Sequence, residues 1–167
     1  MLDLLFNPNG RILRNRFWQG LVILTVASVL VTAGSVMIAE PIGYLTFPLF
    51  YMYICVFGKR LHDAGLTAWW VLGVLVGNLI LTVISSLILR PFMVSSEAAE
   101  IEREMAERLF SGDLAGASEG AQILAQQLLP LNLTQTVLVN FVLALIIGAL
   151  ATLPRENKHG PVPGSGK

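Results

Sequence analysis

The chain has 167 residues, 54% of them hydrophobic and only 13% charged, and its eleven cationic and eleven acidic side chains cancel to a formal net charge of zero. So apolar a composition excludes a protein that keeps most of its surface in water, and the sparse, scattered cations exclude a basic nucleic-acid-binding face. A single cysteine, Cys55, excludes an internal disulfide and reads as a small packing residue.

The apolar residues are gathered into runs, and a helix needs about 20 mostly apolar residues to cross a bilayer. Four stretches qualify, at about 18–39, 42–61, 68–89 and 132–153. The second is short unless Lys59 and Arg60 at its end snorkel outward. The expected fold is an all-α integral membrane protein with four transmembrane helices in a bundle. Residues 1–16 form an interfacial N-terminal segment, 17–90 hold spans 1–3, 91–131 an amphipathic helical insertion, 132–153 span 4 and 154–167 a tail. Arg11, Arg14 and Arg16 precede span 1, Lys59 and Arg60 lie between spans 2 and 3, and Arg155, Lys158 and Lys167 follow span 4. The other side carries only Arg90, Arg103 and Arg108, diluted by Glu40 and seven carboxylates between Glu97 and Glu119. Cations accumulate on the cytoplasmic side, so both termini and the Lys59–Asp63 corner are expected there, with the insertion on the outer face. Val31-Thr32-Ala33 loosely resembles a signal-peptide cleavage site, but the apolar run continues through Val36-Met37-Ile38 and reads as a span.

In chain order, the apolar residues around Asp3 are too few to span, and Asn7-Pro8-Asn9-Gly10 supplies a turn. Arg11 and Arg14, three apart, would share a helical face, and Phe17 and Trp18 suit the headgroup layer as an aromatic belt. Span 1 carries Thr25, Ser28, Thr32 and Ser35, small polar residues that allow close packing. Pro41 begins a tight hairpin into the aromatic-rich span 2, which Pro48 is expected to bend.

The corner Lys59-Arg60-Leu61-His62-Asp63 places Asp63 four residues after Lys59 and three after Arg60, so one helical turn can pair the carboxylate with both cations. Gly65 reads as a helix stop, Thr67 as the cap of span 3, and Trp69 and Trp70 as interface aromatics. The adjacent His62 and Asp63 invite catalysis, but consecutive helical side chains diverge by about 100°. A structural salt-bridge network ranks first, a headgroup site second and catalysis last. In span 3, Gly73 and Gly77 form a close-packing pair, as do Ala144 and Gly148 in span 4, and Asn78 and Asn140 suit hydrogen bonds across helices. No charged residue lies mid-span, which argues against an ion-coupled transporter.

From Pro91 to Pro130 the composition becomes that of a soluble segment. Ala98, Ile101, Met105 and Leu109 recur at helical spacing, with Ser95 or Ser96 as cap and Gly112 as stop. After a Gly/Ala/Ser-rich turn, Ala121, Leu124 and Leu128 mark a second short helix ended by Pro130, and Asn132-x-x-Gln135 reads as a capping box for span 4. Their acidity disfavours an anionic lipid surface and favours packing or a partner.

Three separated motifs, Gly10-Arg11-Ile12-x-Arg14-x-Arg16-Phe17-Trp18, Lys59-Arg60-Leu61-His62-Asp63-x-Gly65-x-x-x-Trp69-Trp70 and Asn157-Lys158-His159-Gly160-Pro161-Val162-Pro163, together resemble the DUF805 family of small bacterial inner-membrane proteins. The resemblance implies a multi-pass inner-membrane protein and carries over no catalytic residue, metal or cofactor. On the topology above, Arg11, Arg14, Lys59, Arg60, His62, Asp63, Asn157 and Lys158 form one polar cluster on the cytoplasmic face. The expected role is a non-enzymatic binding or accessory subunit whose partners are membrane lipids, a membrane-protein complex or a second copy. A small transporter or channel, and a lipid-headgroup enzyme using His62 and Asp63, are the alternatives.

Overall fold

The computed structural model describes residues 2–163; Met1 and residues 164–167, including the tail cation Lys167, lie outside the described part. A one-turn-and-a-half helix α1 (Leu2–Phe6) precedes α2 (Arg14–Met37); a 3-10 turn (Glu40–Leu45) then leads into α3 (Thr46–Asp63) and α4 (Trp70–Met93). Two shorter helices, α5 (Ser96–Ser111) and α6 (Leu114–Gln127), are followed by α7 (Leu129–Gly148). Among the described residues there are seven α-helices and no strand. Arg14–Met37, Glu40–Asp63, Trp70–Met93 and Leu129–Gly148 are each long and apolar enough to cross a membrane. A 24-residue helix is about 36 Å long, against a hydrocarbon core of about 30 Å.

The four long helices touch as a ring: α2 packs on α3 and α7, and α4 packs on α7 and more lightly on α3. Between apolar helices in lipid, association rests on close van der Waals contact, so small residues mark the crossings. A Cβ on Gly20 would stand 3.2 Å from both Leu4 and Val56, which makes this glycine the meeting point of α1, α2 and α3. Gly148 lies under the rings of Phe17 and Trp18, closing α7 onto α2. Asn140 donates to Thr25 Oγ1 (3.1 Å) and to the Tyr53 hydroxyl (2.7 Å), tying α7 to α2 and α3. The outward faces stay apolar and uncovered, as at Leu30, Leu79 and Leu87.

Several local expectations differ from what the chain does. Gly77 faces α7, 3.8 Å from Leu143, but Gly73 meets only Trp70 of its own helix, so that pair is not one packing face. Phe17 is fully buried, edge-on to Phe57 with ring centres 5.5 Å apart, and belongs to the core rather than to an interface belt. Trp18 is half-buried against Phe141, while Trp69 and Trp70 remain exposed. Pro91 does not end α4, which runs on to Met93, and Pro48 falls in the first turn of α3, where a missing N–H costs nothing. Leu114–Gln127 is helical throughout, including the Gly/Ala/Ser stretch, because Asp113 caps it by accepting from Gly116 N. Pro130 sits in the first turn of α7 instead of closing α6, so Asn132 and Gln135 lie inside the helix and form no capping box. Thr67 supplies no side-chain cap; α4 starts at Trp70. Ser95 and Gly112 do cap α5, through a bond from Ala98 N (3.0 Å) and a left-handed φ of 84°.

Candidate functional site

The three separated sequence motifs meet at one end of the bundle, around the C-terminus of α3. Helix α3 ends in a Schellman arrangement: Gly65, at φ 80°, donates to the His62 carbonyl (3.0 Å) and Leu66 N to the Leu61 carbonyl (2.9 Å). The left-handed glycine turns the chain sharply, leaving Lys59, Arg60, His62 and Asp63 on the last turn of the helix. All four are buried, with Asp63 at 0% exposure and Lys59 and Arg60 at 1%.

Buried charge is tolerated only when paired and hydrogen-bonded, and each charge here is answered. Asp63 Oδ2 accepts from Arg60 Nη1 (2.5 Å) and Thr152 Oγ1 (2.7 Å), while Oδ1 accepts from Arg11 Nη2 (3.1 Å) and Nε (3.3 Å). Arg60 also donates to the carbonyls of Gly148 (3.1 Å) and Leu150, closing the C-terminus of α7. Arg11 reaches the carbonyls of Leu153 (2.6 Å) and Arg155 (2.9 Å). Two arginines thus sit where two helix dipoles leave unsatisfied carbonyls and partial negative charge. Lys59 bonds the Asp3 and Leu4 carbonyls of α1 and pairs with the Asp3 carboxylate at 3.6 Å. Asp3 is itself exposed, and the hydrogen bond from Asn7, with the charge of Lys59, lowers its pKa.

The tail completes the corner. Leu153 N donates to the Asp63 carbonyl (2.8 Å) and Asn157 Nδ2 to the His62 carbonyl (2.9 Å), so the last carbonyls of α3 are met by the C-terminal segment. Asn157 Oδ1 accepts from His159 N (2.8 Å), turning the tail so that the His159 ring stacks on His62, centres 3.6 Å apart and 5° from parallel. His62 Nδ1 lies 3.3 Å from the Gly10 carbonyl, which fastens the same ring to the N-terminal turn. Burial first, then His62, Lys158 and Arg11, lower the pKa of His159. Among the described residues no group of three or more His, Cys, Asp or Glu could hold a metal ion. The stacked imidazoles could not do so as a pair, since their ring-plane lone pairs run parallel and do not converge.

Arg11, Lys59, Arg60, His62, Asp63 and Asn157 are therefore one assembly, a clasp that holds both ends of the chain to α3. Arg14 and Lys158 stand exposed beside it with no bond to it. Three expectations are corrected by this geometry. Lys59 and Arg60 do not snorkel outward but turn inward. Lys59 does not pair with Asp63; Arg11 takes that place, because α2 begins only at Arg14 and leaves Arg11 off the helical face it was expected to share. Helix α7 stops at Gly148, and 149–153 run non-helically across the clasp. Thr152 and the carbonyls of Leu150 and Leu153 are the groups that sequence reasoning missed by extending the helix to 153. Pro154 was the available signal, since it biases the preceding residue away from helical backbone.

No curated protein and no solved structure matches the chain. The profile of the family described as "protein of unknown function (DUF805)" matches residues 5–161, covering the first two motifs of the clasp and the third as far as Pro161, and the chain belongs to that family.

Proposed function

We propose that this chain is a non-enzymatic, multi-pass protein of the bacterial inner membrane, with its termini and clasp on the cytoplasmic side, acting as a binding or accessory subunit of a membrane-protein complex. The observation that carries this reading is that the charges of the clasp are committed to the fold. A reaction centre or a headgroup cradle needs uncommitted charge, whereas the Asp63 carboxylate and the terminal nitrogens of Arg11 and Arg60 are spent on one another and on main-chain carbonyls; among the described residues Arg60 Nε and the Nε2 atoms of His62 and His159 are buried without a partner. What faces outward is the α5–α6 hairpin, on which seven carboxylates stand against two arginines around the exposed rings and methyls of Phe110 and Leu114. That pattern, an apolar centre in an acidic surround, suits a partner with a cationic surface beyond the bilayer.

Purification in mild detergent tests this: a stoichiometric partner is expected with the wild type and is lost with Phe110→Ser plus Leu114→Ser. A partner-free monomer from native membranes refutes it. For the transporter alternative, a cavity does enter the bundle, but it ends on Phe57, Val71, Val74 and Leu143 and gives no continuous polar path. Absence of solute flux in liposomes is the corresponding expectation.

A further inference from the structure

A cavity of about 490 Å³ lies among α2, α3, α4 and α7, running from the ends of those helices remote from the clasp to Phe57, Val71 and Leu143 on its near side. Its rim includes Thr46 and Asn132, both exposed and at the starts of α3 and α7, so it opens at the far end of the bundle. Its floor is apolar, made by Phe57, Val71, Val74 and Leu143. Between rim and floor runs a collar of uncharged polar side chains, among them Ser28, Thr32, Asn78, Thr82 and Gln135.

Two amides in this collar have no partner. Gln135 is nine-tenths buried and its Nε2 makes no hydrogen bond among the described residues, and the half-buried Asn78 makes none there either. At lipid depth an unpaired amide is costly, because no water replaces the missing bond. Its neighbour Asn140, by contrast, is engaged with Thr25 and Tyr53 as a structural tie. Ser28 is taken up by the Tyr53 hydroxyl (3.2 Å), whereas the amides of Asn78 and Gln135 line the cavity without being used on the fold. Among the described residues no Asp, Glu, Lys or Arg lines the cavity, so a charged head would enter without a counter-charge.

We infer that this cavity is a binding site for an uncharged amphiphile, taking a short apolar chain onto the Phe57–Leu143 floor and a hydroxyl- or amide-bearing head into the Asn78–Gln135 collar. The volume falls in the range of about 300–1,000 Å³ usual for small-molecule sites. The assignment is independent of the accessory role proposed above, since it rests on the bundle interior and not on the α5–α6 hairpin.

The protein reconstituted in nanodiscs is titrated with monodecanoylglycerol bearing a photoactivatable diazirine in its chain, beside the decanoate and decane analogues. Saturable crosslinking to cavity residues is expected for the glyceride, with little for the charged or headless analogue. Gln135→Leu and Asn78→Leu each remove a collar amide, and each should weaken glyceride binding about tenfold, the loss of one hydrogen bond at the upper end of its usual worth. Without ligand, Gln135→Leu should melt at or above the wild-type temperature, which separates a lost site from a damaged fold. Equal labelling by all three probes, or glyceride binding unchanged in both variants, overturns the assignment and leaves the cavity as a packing defect filled by lipid or water.

Discussion

Replacing Asp63 by Asn removes one charge and keeps the shape, which makes it the sharpest probe of the clasp. The carboxylate has 0% exposure and faces two arginine side chains that are 1–2% exposed, so neither cation can turn to water when it goes. Removing one partner of a buried ion pair costs about 3–5 kcal/mol, mainly because the remaining charge stays buried and uncompensated. For a chain of this size about 1 kcal/mol moves the midpoint by 2–4 °C, so Asp63→Asn should lower the melting temperature by about 6–20 °C. Thr152→Val, which deletes only the neutral bond to the same carboxylate, should cost about 0.5–1.5 kcal/mol and about 1–6 °C. The assay is thermal unfolding of the purified protein in one detergent, followed by size-exclusion of the surviving monodisperse fraction. Arg60→Gln combined with Asp63→Asn should lose less than the sum of the single losses, since each charge is costly chiefly when the other is gone. If Asp63→Asn melts within 2 °C of the wild type, or if the two losses simply add, the clasp is not a coupled charge network.

Four further outcomes follow from the same geometry. Gly65→Ala forces a Cβ into a left-handed position with Leu153 Cδ2 3.3 Å away, and should destabilise by about 1–2 kcal/mol, read as a drop in the same melt. The lowered pKa of His159 means the unfolded chain binds its proton more readily. Its contribution is therefore present above the ordinary value of 6.5 and is lost as pH falls through the lowered folded value. The wild type should accordingly melt lower at pH 5.5 than at pH 7.5, and His159→Phe, which keeps the stack without the titration, should reduce that difference. Asn140→Leu breaks the ties to Thr25 and Tyr53 and should cost about 0.6–1.7 kcal/mol in unfolding assays. With Cys55 buried and expected to stay silent, cysteines at Asn9 and Lys158 should react with an impermeant thiol reagent from one side of the membrane and a cysteine at Phe110 from the other. Labelling of Asn9 and Lys158 from opposite faces would refute a clasp that holds both ends together.

Of the clasp, the sequence carried the local half. Arg60 and Asp63 are three apart on one helix and pair as helical geometry dictates, and Gly65 ends that helix because only glycine takes its backbone without strain. Asn140 could be read as inter-helix glue because an amide at lipid depth has few other outlets. The partner of Arg11 could not be read, because it lies 52 residues away, and Lys59 turns to Asp3, 56 residues distant, against its own i,i+4 prospect.

The sequence alone determined that four apolar segments are long enough to span a bilayer and that an acidic amphipathic pair interrupts the third and fourth, because transfer of apolar side chains and backbone hydrogen bonding in lipid are decided residue by residue along the chain. Only the tertiary structure decided that the three polar motifs converge, that α7 gives up its last turn to Arg60 and Thr152, and that Gln135 and Asn78 are left unpaired around a cavity. Those outcomes depend on which helix ends come within hydrogen-bond reach, a distance of about 3 Å that no periodicity in a single chain encodes.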